Sequence, residues 1–359
     1  MAGSRITQRD IALKAGVGRT AVSLALKDHP KISPATKARI LQIARKLGYA
    51  PDPMLSALAA YRTKKQSRAF QGTLAWLANA ADDFQWKQAS HYMGYYAGAL
   101  ARAAYHGYQL QEFELHAGAM SPARLASILQ ARSINGILLC PQPKPDMDMA
   151  FAWQSFSVVT FGYSLRTPLL NTVASAHFLN TRHAMHRLFQ LGYRRIGLLI
   201  DRRLDQRCGS NIYAGFLIEQ ELNKEVAHIP PLLDYDPAAE HRALYAQELA
   251  GYVRRHRIDA IITADYSILE VLRSAGLRVP DDIGVAGISL PSQEGTIAGI
   301  VEDSAMIGSI AVDILVGMVQ RGECGVPRMP VRTHLEGTWR DGATLRPSAP
   351  GNGVPPDAR

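Results

Sequence analysis

The sequence predicts an all-α head followed by a larger α/β core of two doubly wound parallel-sheet lobes. Three observations lead to this fold class. The first 50 residues carry three short apolar patterns at helical spacing, separated by turn residues. From Gly72 onward, short apolar strands alternate with helical patterns, which is typical of parallel sheets covered by helices. At 359 residues the chain is also long enough to bury several hydrophobic cores.

The first two predicted helices have the form of a helix-turn-helix. Thr7 is placed to cap the first helix, with Asp10 at the N3 position as in a capping box. Gly16 then supplies a left-handed stop. A second helix follows over 19–26. Its outer side presents the residues that a recognition helix would insert into the major groove of DNA: Arg19, Thr20, Ala21, Ser23 and Leu24.

A third helix is predicted to begin at Ser33-Pro34, a capping serine followed by proline at the first helical position. It runs to Leu47 with Ile40 and Ala44 facing inward. Three small helices of this kind form a thin core, but domains of about 50 residues do fold.

The basic charge of the chain is concentrated in the head and the segment that follows it. Residues 1–70 contain 14 Lys and Arg against three acidic residues, a net charge of +11, whereas the whole chain carries +9. The remaining residues therefore sum to about −2. An excess of this kind at a helix-turn-helix indicates a surface that meets phosphate.

Several functional classes lack support in the sequence. No window approaches 18 uninterrupted apolar residues, and the first residues have no apolar leader, so we expect neither a membrane partner nor a secretory signal. Cys140, Cys208 and Cys324 are isolated and odd in number, which favours a reducing cytoplasm. No common catalytic or nucleotide-binding motif occurs. We therefore expect no enzyme, no catalytic residue and no cofactor.

Three histidines raise the question of a metal site. His183 and His186 are one helical turn apart, and His177 precedes them. No carboxylate or cysteine at ligand spacing completes a site. A solvated helix face is the simpler interpretation, so no metal is predicted.

The core divides into two similar units. The predicted strands cover 73–78, 108–115, 136–140, 157–161, 195–200, 232–233, 258–263, one strand after 280 and a final strand over 331–335. The predicted helices cover 90–106, 121–134, 176–191, 205–222, 238–256, 267–275 and 304–321. Two sheets joined by several crossings make a periplasmic-binding-protein-like architecture, in which a ligand is held in the cleft between lobes.

These patterns predict the following domains: a head over 1–50, a hinge helix and linker over 51–71, a core over 72–343 and a disordered tail over 344–359. Lobe 1 is expected at about 72–163 plus 302–325, and lobe 2 at about 164–301 plus 326–343. The tail is rich in Pro, Gly and Ala and carries few large apolar side chains.

Short motifs through the first 60 residues carry a family resemblance. They are Asp-Ile-Ala-x-x-Ala-Gly-Val at 10–17, Thr20-Ala-Val-Ser23, Ile32-Ser33, Thr36-x-x-x-Ile40, Leu-Gly-Tyr-x-Pro at 47–51, and Leu58-Ala59. Together they resemble the DNA-binding head and hinge of the lactose-repressor (LacI/GalR) family of bacterial transcription regulators. Looser matches in the core, such as Leu277-Arg-Val-Pro-Asp-Asp-Ile-Gly-Val285, extend the resemblance over roughly 5–340.

The resemblance implies a homodimer that binds a near-palindromic double-stranded operator. Arg19 and Thr20 would then contact base edges, whereas Ser23 and Thr7 would contact phosphate. Ala21 and Leu24 lie on the same helix, and Leu24 stands where many relatives carry arginine. Gly18 replaces the usual serine ahead of this helix, so one hydroxyl is lost.

The resemblance also implies a hinge over 52–60 that folds when two copies meet on the operator, since it is too short to be a stable isolated helix. Leu58, followed by Ala59, would wedge into a central minor-groove step. The alternative for Leu58 is a packing residue in a linker helix.

Candidate effector contacts lie where the strands of the core end, the usual ligand position in open α/β sheets. They are Asn79, Trp86, Tyr163, Asp205, Arg207, Asp265, Ser289 and Glu302-Asp303. Trp86 or Tyr163 would stack on a sugar face, and Asp/Arg pairs would bind hydroxyls. The alternative is that these are surface or capping residues. Asp265 in particular is placed to cap the helix that begins at Ser267.

The candidate cleft departs from the family's sugar-binding pattern. Ala264 stands where relatives often carry asparagine, Ile212 replaces a frequent ligand-binding arginine, and Ser289-Leu290 replaces an acidic pair. Either the effector is not a simple hexose, or its contacts have moved to Asp205 and Arg207.

The sequence thus predicts a cytoplasmic, homodimeric transcription regulator, in the first instance a repressor. We expect it to be controlled by a small-molecule effector, with a carbohydrate as the first candidate. The main alternative keeps DNA binding but gives the core only dimerisation or a protein partner. A transporter's solute-binding protein and an enzyme with a fused DNA-binding head fit less well, because the head is basic and no catalytic motif occurs.

Overall fold

The computed structural model describes residues 7–26, 32–47, 70–79, 85–115, 120–234, 242–291 and 295–347. The chain divides into two compact units, Met1–Ala69 and Phe70–Arg359. The first is an all-α head and the second an α/β core, as the sequence predicts.

The described residues of the head form three helices around a small apolar centre. They are α1 (Gln8–Ala15), α2 (Arg19–Leu26) and α3 (Pro34–Lys46). Each helix contributes one fully buried branched side chain, from Ile11, Val22 and Ile40 respectively. The inward positions expected from helical spacing are therefore those that pack.

Local capping fixes the ends of these helices. The backbone N–H of Thr7 donates to the Asp10 carboxylate at 2.7 Å, and the Thr7 hydroxyl donates to the same oxygen at 2.7 Å. Gly16 adopts φ +62°, the left-handed conformation that ends α1. At α3, the Thr36 N–H donates to the Ser33 hydroxyl at 3.3 Å. The predicted caps at Thr7, Gly16 and Ser33 are confirmed.

The first core sheet has six parallel strands in the spatial order β12-β7-β5-β3-β1-β2. Its strands are β1 (Gly72–Asn79), β2 (Tyr108–Leu115), β3 (Gly136–Leu139), β5 (Ser157–Phe161), β7 (Asn171–Ser175) and β12 (Arg332–Leu335). A separate pair, β4 (Met147–Asp148) and β6 (Leu165–Thr167), lies outside this sheet.

The second sheet has five strands in the order β13-β11-β10-β9-β8, of which only β13 is antiparallel to its neighbour. Its strands are β8 (Ile196–Leu199), β9 (Ala260–Thr263), β10 (Gly284–Leu290), β11 (Ala298–Val301) and β13 (Thr338–Arg340).

Helices cover both faces of each sheet. They are α4 (Ser90–Tyr105), α5 (Pro122–Ala131), α6 (His177–Gln190), α7 (Arg202–Arg207), α8 (Asn211–Leu222), α9 (Arg242–His256), α10 (Ile268–Ser274) and α11 (Ser304–Arg321). On the first sheet, α4 and α11 share one hydrophobic core and α5 lies in the other. On the second sheet, α6 and α8 share one core while α9 and α10 share the other.

The lobe boundaries predicted from the sequence were wrong at two strands. Asn171–Ser175 was placed in the second lobe, but β7 pairs with β5 in the first sheet. The final strand was also placed in the second lobe, but β12 pairs with β7. A strand pattern shows that a segment is buried, not which sheet it joins, because its hydrogen-bond partners are distant in sequence.

Three segments of the described chain consequently cross between the sheets. They are Ala176 between β7 and α6, Glu302–Asp303 between β11 and α11, and Glu336–Gly337 between β12 and β13. The predicted α/β core of two doubly wound sheets is confirmed, with its boundaries moved.

Other corrections are local. The helix predicted over 205–222 is two helices, α7 and α8, because Gly209 and Ser210 between them both have positive φ. Strands β4, β6, β7, β11 and β13 were not predicted. In the predicted tail, Thr344 and Leu345 are buried in the second lobe. Residues 348–359, like the hinge over 52–60, lie outside the described residues.

One described helix, α11, is long and apolar enough to cross a membrane by length and composition. Its inward face, which includes Ile307, Ala311 and Leu315, packs into the core of the first lobe. A buried core helix satisfies the same criterion, so this helix is weak evidence for a membrane span.

Helices α4 and α11 approach so closely that glycine is required at the contact. A Cβ on Gly308 would lie 1.9 Å from the carbonyl oxygen of Tyr95. A Cβ on Gly98 would lie 1.8 Å from the carbonyl oxygen of Ala305. Both neighbours are backbone atoms, so the helices would have to separate to admit a methyl group.

We therefore expect Gly308→Ala to lower the free energy of unfolding by about 1–3 kcal/mol through overpacking. Gly251→Ala on α9 is the matched control, since a Cβ there meets nothing within 4 Å. It should be neutral or stabilising by up to about 1 kcal/mol, because alanine is the better helix former. Chemical denaturation of both variants measures the difference, and equal effects would contradict this account of the packing.

Candidate functional sites

The second helix of the head has one buried and one exposed side. Val22 and Ala25 are buried in the head core, whereas Arg19 and Thr20 are exposed at its first turn. The other predicted recognition residues, Ala21, Ser23 and Leu24, are half-buried. The two best candidates for reading base edges are thus the two most accessible residues of this set.

Exposed basic residues are distributed over the three helices of the head. The exposed basic residues among the described head residues are Arg9, Lys14, Arg19, Arg39, Arg45 and Lys46. Asp10 is the one acidic residue in 7–26 and 32–47, and the hydrogen bonds from Thr7 lower the pKa of its carboxyl. Thr7 therefore stabilises the start of α1 through its hydrogen bonds to Asp10. Its contact with phosphate stays a prediction. Leu58 and Ala59 lie outside the described residues.

A second candidate site lies where the two lobes of the core meet. Arg207, at the end of α7 in the second lobe, donates a hydrogen bond to the hydroxyl of Tyr92 on α4 of the first lobe. Its guanidinium carbon also lies 5.6 Å from the centroid of the Tyr92 ring. The predicted effector residue Arg207 thus links the two lobes in this conformation.

Tyr163 follows the first sheet's β5 and also faces this junction. Its hydroxyl lies 2.8 Å from Nε2 of His334, and Arg332 lies 5.3 Å from its ring centroid. A Cβ on Gly209 of the second lobe would come within 3.1 Å of the Tyr163 ring. The ring is half-buried and held on several sides, so one face is covered before any ligand binds.

Glu302 lies at the crossing between β11 and α11 and is 5% exposed. It accepts hydrogen bonds from the Tyr95 hydroxyl at 3.2 Å and from the Ser304 hydroxyl at 3.0 Å. Asp303 caps α11, because its carboxylate accepts from the Met306 N–H at 2.9 Å. The predicted pair therefore divides into one buried, hydrogen-bonded carboxylate and one helix cap.

Trp86 does not form a sugar-stacking platform in this structure. It is 3% exposed and packs against Trp76 and Tyr96, with centroid distances of 5.3 Å in both cases. The sequence placed it in a loop after β1, where exposure is the usual expectation. It lies instead in a 3-10 turn that is folded onto the core.

The two aspartates predicted to bind effector act as caps. Asp205 is 4% exposed, and its Oδ1 accepts from the N–H groups of Ile212 at 3.2 Å and Tyr213 at 3.1 Å. Asp265 accepts from the Ser267 N–H at 2.9 Å, which bears out the capping alternative. The break between α7 and α8 explains Asp205, since the first N–H groups of α8 need an acceptor.

The remaining two candidates also have internal partners. Asn79 is 4% exposed and donates to the Gln142 side chain at 3.0 Å. Ser289 is half-buried within β10, and its carbonyl oxygen accepts from the Tyr266 hydroxyl. Gln142 was not predicted, although it follows β3 at the same sheet edge as Asn79.

Histidines were not among the residues that the sequence predicted at the lobe junction. His177 begins α6 at the first crossing, and burial together with the nearby His334 lowers its pKa to about 4. Its Nδ1 is buried and has no hydrogen-bond partner among the described residues. Burial also lowers the pKa of His91 on α4. Both imidazoles are therefore neutral near pH 7, where they would offer uncharged donors and acceptors to a ligand.

The three histidines considered for a metal do not form a cluster. Nε2 of His186 lies 2.6 Å from the Glu219 carboxylate on α8, while His177 lies at the lobe junction. Among the described residues, no group of three His, Cys, Asp or Glu side chains is placed to hold a metal ion.

Comparison with known proteins decides what the head is. Residues 7–52 match the model of the family described as "Bacterial regulatory proteins, lacI family". Over these residues the head carries the sequence pattern of the lacI family. This confirms the resemblance seen in the sequence motifs.

Similar proteins match along most of the chain. The HTH-type transcriptional regulator CelR of Thermobifida fusca is 25% identical over 346 residues, covering 92% of this chain and 97% of CelR. A solved "transcriptional regulator CelR-cellobiose complex" has a TM-score of 0.59 at 22% identity, covering 95% of this chain and all of that chain. A solved lac repressor dimer bound to operator and the anti-inducer ONPF has a TM-score of 0.56 at 19% identity. The match covers 96% of this chain and 100% of the repressor chain. The two structures share the fold of this chain.

The buried imidazole of His177 predicts acid sensitivity. The unfolded chain takes up a proton near the ordinary histidine pKa of 6.5, whereas the folded chain does so only near 4. Between these values the unfolded state binds more protons, so stability falls as pH decreases from 6.5 toward 4. In His177→Phe, the decrease in the free energy of unfolding over this pH range should be smaller by about 1–3 kcal/mol.

The measurement is chemical denaturation of wild type and His177→Phe across that pH window. His91 remains in both proteins, so the difference between the two curves isolates His177. Parallel curves would show that the ring is protonated as readily in the folded protein as in the unfolded chain.

Proposed function

We propose that the protein is a sequence-specific DNA-binding transcriptional repressor that binds a palindromic operator as a homodimer. The observation that carries this proposal is the capped helix-turn-helix of the lacI-family head, whose second helix exposes Arg19 and Thr20 amid a basic surface. Arginine binds guanine O6 and N7 in a bidentate manner, and exposed cations nearby bind phosphate. In this proposal the protein acts in the cytoplasm, at the nucleoid, and is not an enzyme.

The dimer is supported by an apolar stripe on α4. Met93 and Leu100, two helical turns apart on one side of the helix, are 39% and 44% exposed. The lac repressor of similar fold was solved as a dimer bound to operator. Two such subunits would present two recognition helices to two half-sites, as palindromic operators require.

The core is proposed to hold a small-molecule effector, a sugar or sugar derivative, between its lobes. Arg207, Glu302 and Tyr163 supply charged and hydroxyl groups at the junction, and His91 and His177 add neutral imidazoles. CelR was solved with cellobiose. An effector that binds here competes with the hydrogen bond between Arg207 and Tyr92, which links the two lobes. Its binding therefore changes how the lobes are oriented relative to each other.

A second candidate function keeps DNA binding without a small ligand. It is favoured by the internal use of Trp86, Asp205 and Asp265, which the sequence had assigned to the effector. In that case the core only dimerises or binds a protein partner.

Arg19→Ala tests the operator-reading surface. We expect operator affinity to fall and discrimination at one base pair per half-site to decrease by about 1–3 kcal/mol, because a bidentate contact is lost. Affinities for operators that carry each base at every position, measured by fluorescence anisotropy, give the result.

Arg45→Ala is the matched control, an exposed arginine in the last turn of α3. Arg45→Ala should weaken binding to every operator sequence equally, or leave the affinity unchanged. If Arg19→Ala also weakens every sequence equally, Arg19 contacts phosphate and does not read a base.

A thermal-shift screen against mono- and oligosaccharides and sugar phosphates tests the effector. A ligand of the cleft should raise the melting temperature and change operator affinity, since binding to one state shifts the equilibrium between states. Arg207→Gln should reduce the shift, whereas Arg255→Gln on the exposed side of α9 should not. Operator binding with no response across the screen would favour the ligand-independent function.

A further inference from the structure

A cavity of about 550 Å³ opens in the second lobe and shares no lining residue with the inter-lobe junction. It lies between the end of α6, the loop at Pro280, the start of β11 and the segment 341–347. Its size falls within the range of small-molecule sites in proteins, roughly 300–1,000 Å³. None of the functions proposed above uses it.

Two arginines line this cavity, and each is stacked on an aromatic ring. Arg187 lies 5.5 Å from the centroid of Trp339, and Arg346 lies 5.9 Å from that of Tyr193. Further hydrogen bonds restrain both groups: Arg187 donates to the Gln190 side chain at 3.0 Å, and Arg346 donates to the carbonyl of Asp281 at 2.9 Å. Their guanidinium planes are thus held in place before a ligand arrives.

The hydrogen-bond capacity of Arg187 is incompletely used. Its Nε is buried and has no hydrogen-bond partner among the described residues. The carboxylate of Asp341 lies 3.7 Å from its Nη2, but that side chain is 83% exposed and also accepts from Trp339 at 2.7 Å. Among the residues that line the cavity, two cations therefore face one solvated anion. Arg346 also interacts electrostatically with the Asp282 carboxylate, which is paired with Arg278.

The remaining wall is apolar. Ala298 and Leu345 are buried at 0% and 7% exposure, and Leu191 and Pro280 complete this side. A ligand that fits must combine an anionic group for the guanidinium donors with an apolar body for this wall.

We propose that this cavity is an accessory ligand site for a small carboxylate with an apolar body. Planar guanidinium groups match carboxylate oxygens in geometry, and such charge-assisted bonds are stronger than neutral ones. The site is independent of the operator-binding head and of the inter-lobe effector.

The test is calorimetric titration of the full-length protein with benzoate, and with benzamide as its neutral isostere, at matched ionic strength. Benzoate should bind saturably, and benzamide at least about ten-fold more weakly. Arg187→Gln and Arg346→Gln should each weaken benzoate about ten-fold or more, because each removes a charge-assisted hydrogen bond. Arg255→Gln and Arg207→Gln should leave benzoate binding unchanged.

Three results would overturn the proposal: no saturable binding of benzoate, equal binding of benzamide, or benzoate binding that both variants leave intact. Loss of binding in Arg207→Gln alone would place the ligand in the inter-lobe junction instead. If Arg187→Gln fails to fold by circular dichroism, Arg346→Gln still decides, because Arg346 is exposed at the mouth of the cavity.

Discussion

The close packing of α4 against α11 is the interaction on which the rest of the core depends. Backbone meets backbone at Gly98 and Gly308, so the two helices have little freedom to slide or separate. Helix α11 begins immediately after the crossing at Glu302, and α4 carries Tyr92 and Tyr95. The helix contact therefore sets where the Glu302 carboxylate meets Tyr95, and it holds Tyr92 where Arg207 reaches it. The packing of these two helices therefore positions the polar groups of the lobe junction.

The junction is already occupied by the protein's own groups. Arg207 is engaged by a phenol, Glu302 by two hydroxyls and Tyr163 by an imidazole. An entering ligand must replace these hydrogen bonds, so it gains only the difference between the new contacts and the old ones. Selectivity in such a site comes from groups that a ligand satisfies better than the protein does.

The head could be predicted from the sequence almost completely, because its determinants are local. Thr7, Gly16 and Ser33 act within one helical turn of their own position, and the spacing of apolar residues fixes which sides pack. Most of the longer helices and strands of the core were also predicted, since their patterns are local. The membership of β7 and β12 in the first sheet was not, because pairing with β5 and β7 depends on segments far away in the chain.

The roles of the predicted effector residues were still harder to predict, because they too depend on contacts that are distant in sequence. The end of a strand is a good place to look for a ligand, but it is also where helices begin and need acceptors. Asp205 and Asp265 serve the helices, and nothing local distinguishes that role from ligand binding. Trp86 is buried only because Trp76 and Tyr96 lie beside it in the folded core. Arg207, predicted as an effector contact, lies at the junction, but its tyrosine partner is 115 residues away in sequence.

The first lobe, although it begins the core, is completed by residues near position 335. Its covering helix α11 and its edge strand β12 both follow the entire second sheet except β13. While the chain emerges from the ribosome, β7 therefore lacks its outer neighbour, and the apolar face under α11 stays open, until the second lobe has been made. Unpaired strand edges and uncovered apolar faces are where nascent chains associate wrongly. The interleaved connectivity that joins the lobes thus exposes the half-finished first lobe to chaperones, or to aggregation, for most of the time that the core takes to be synthesised.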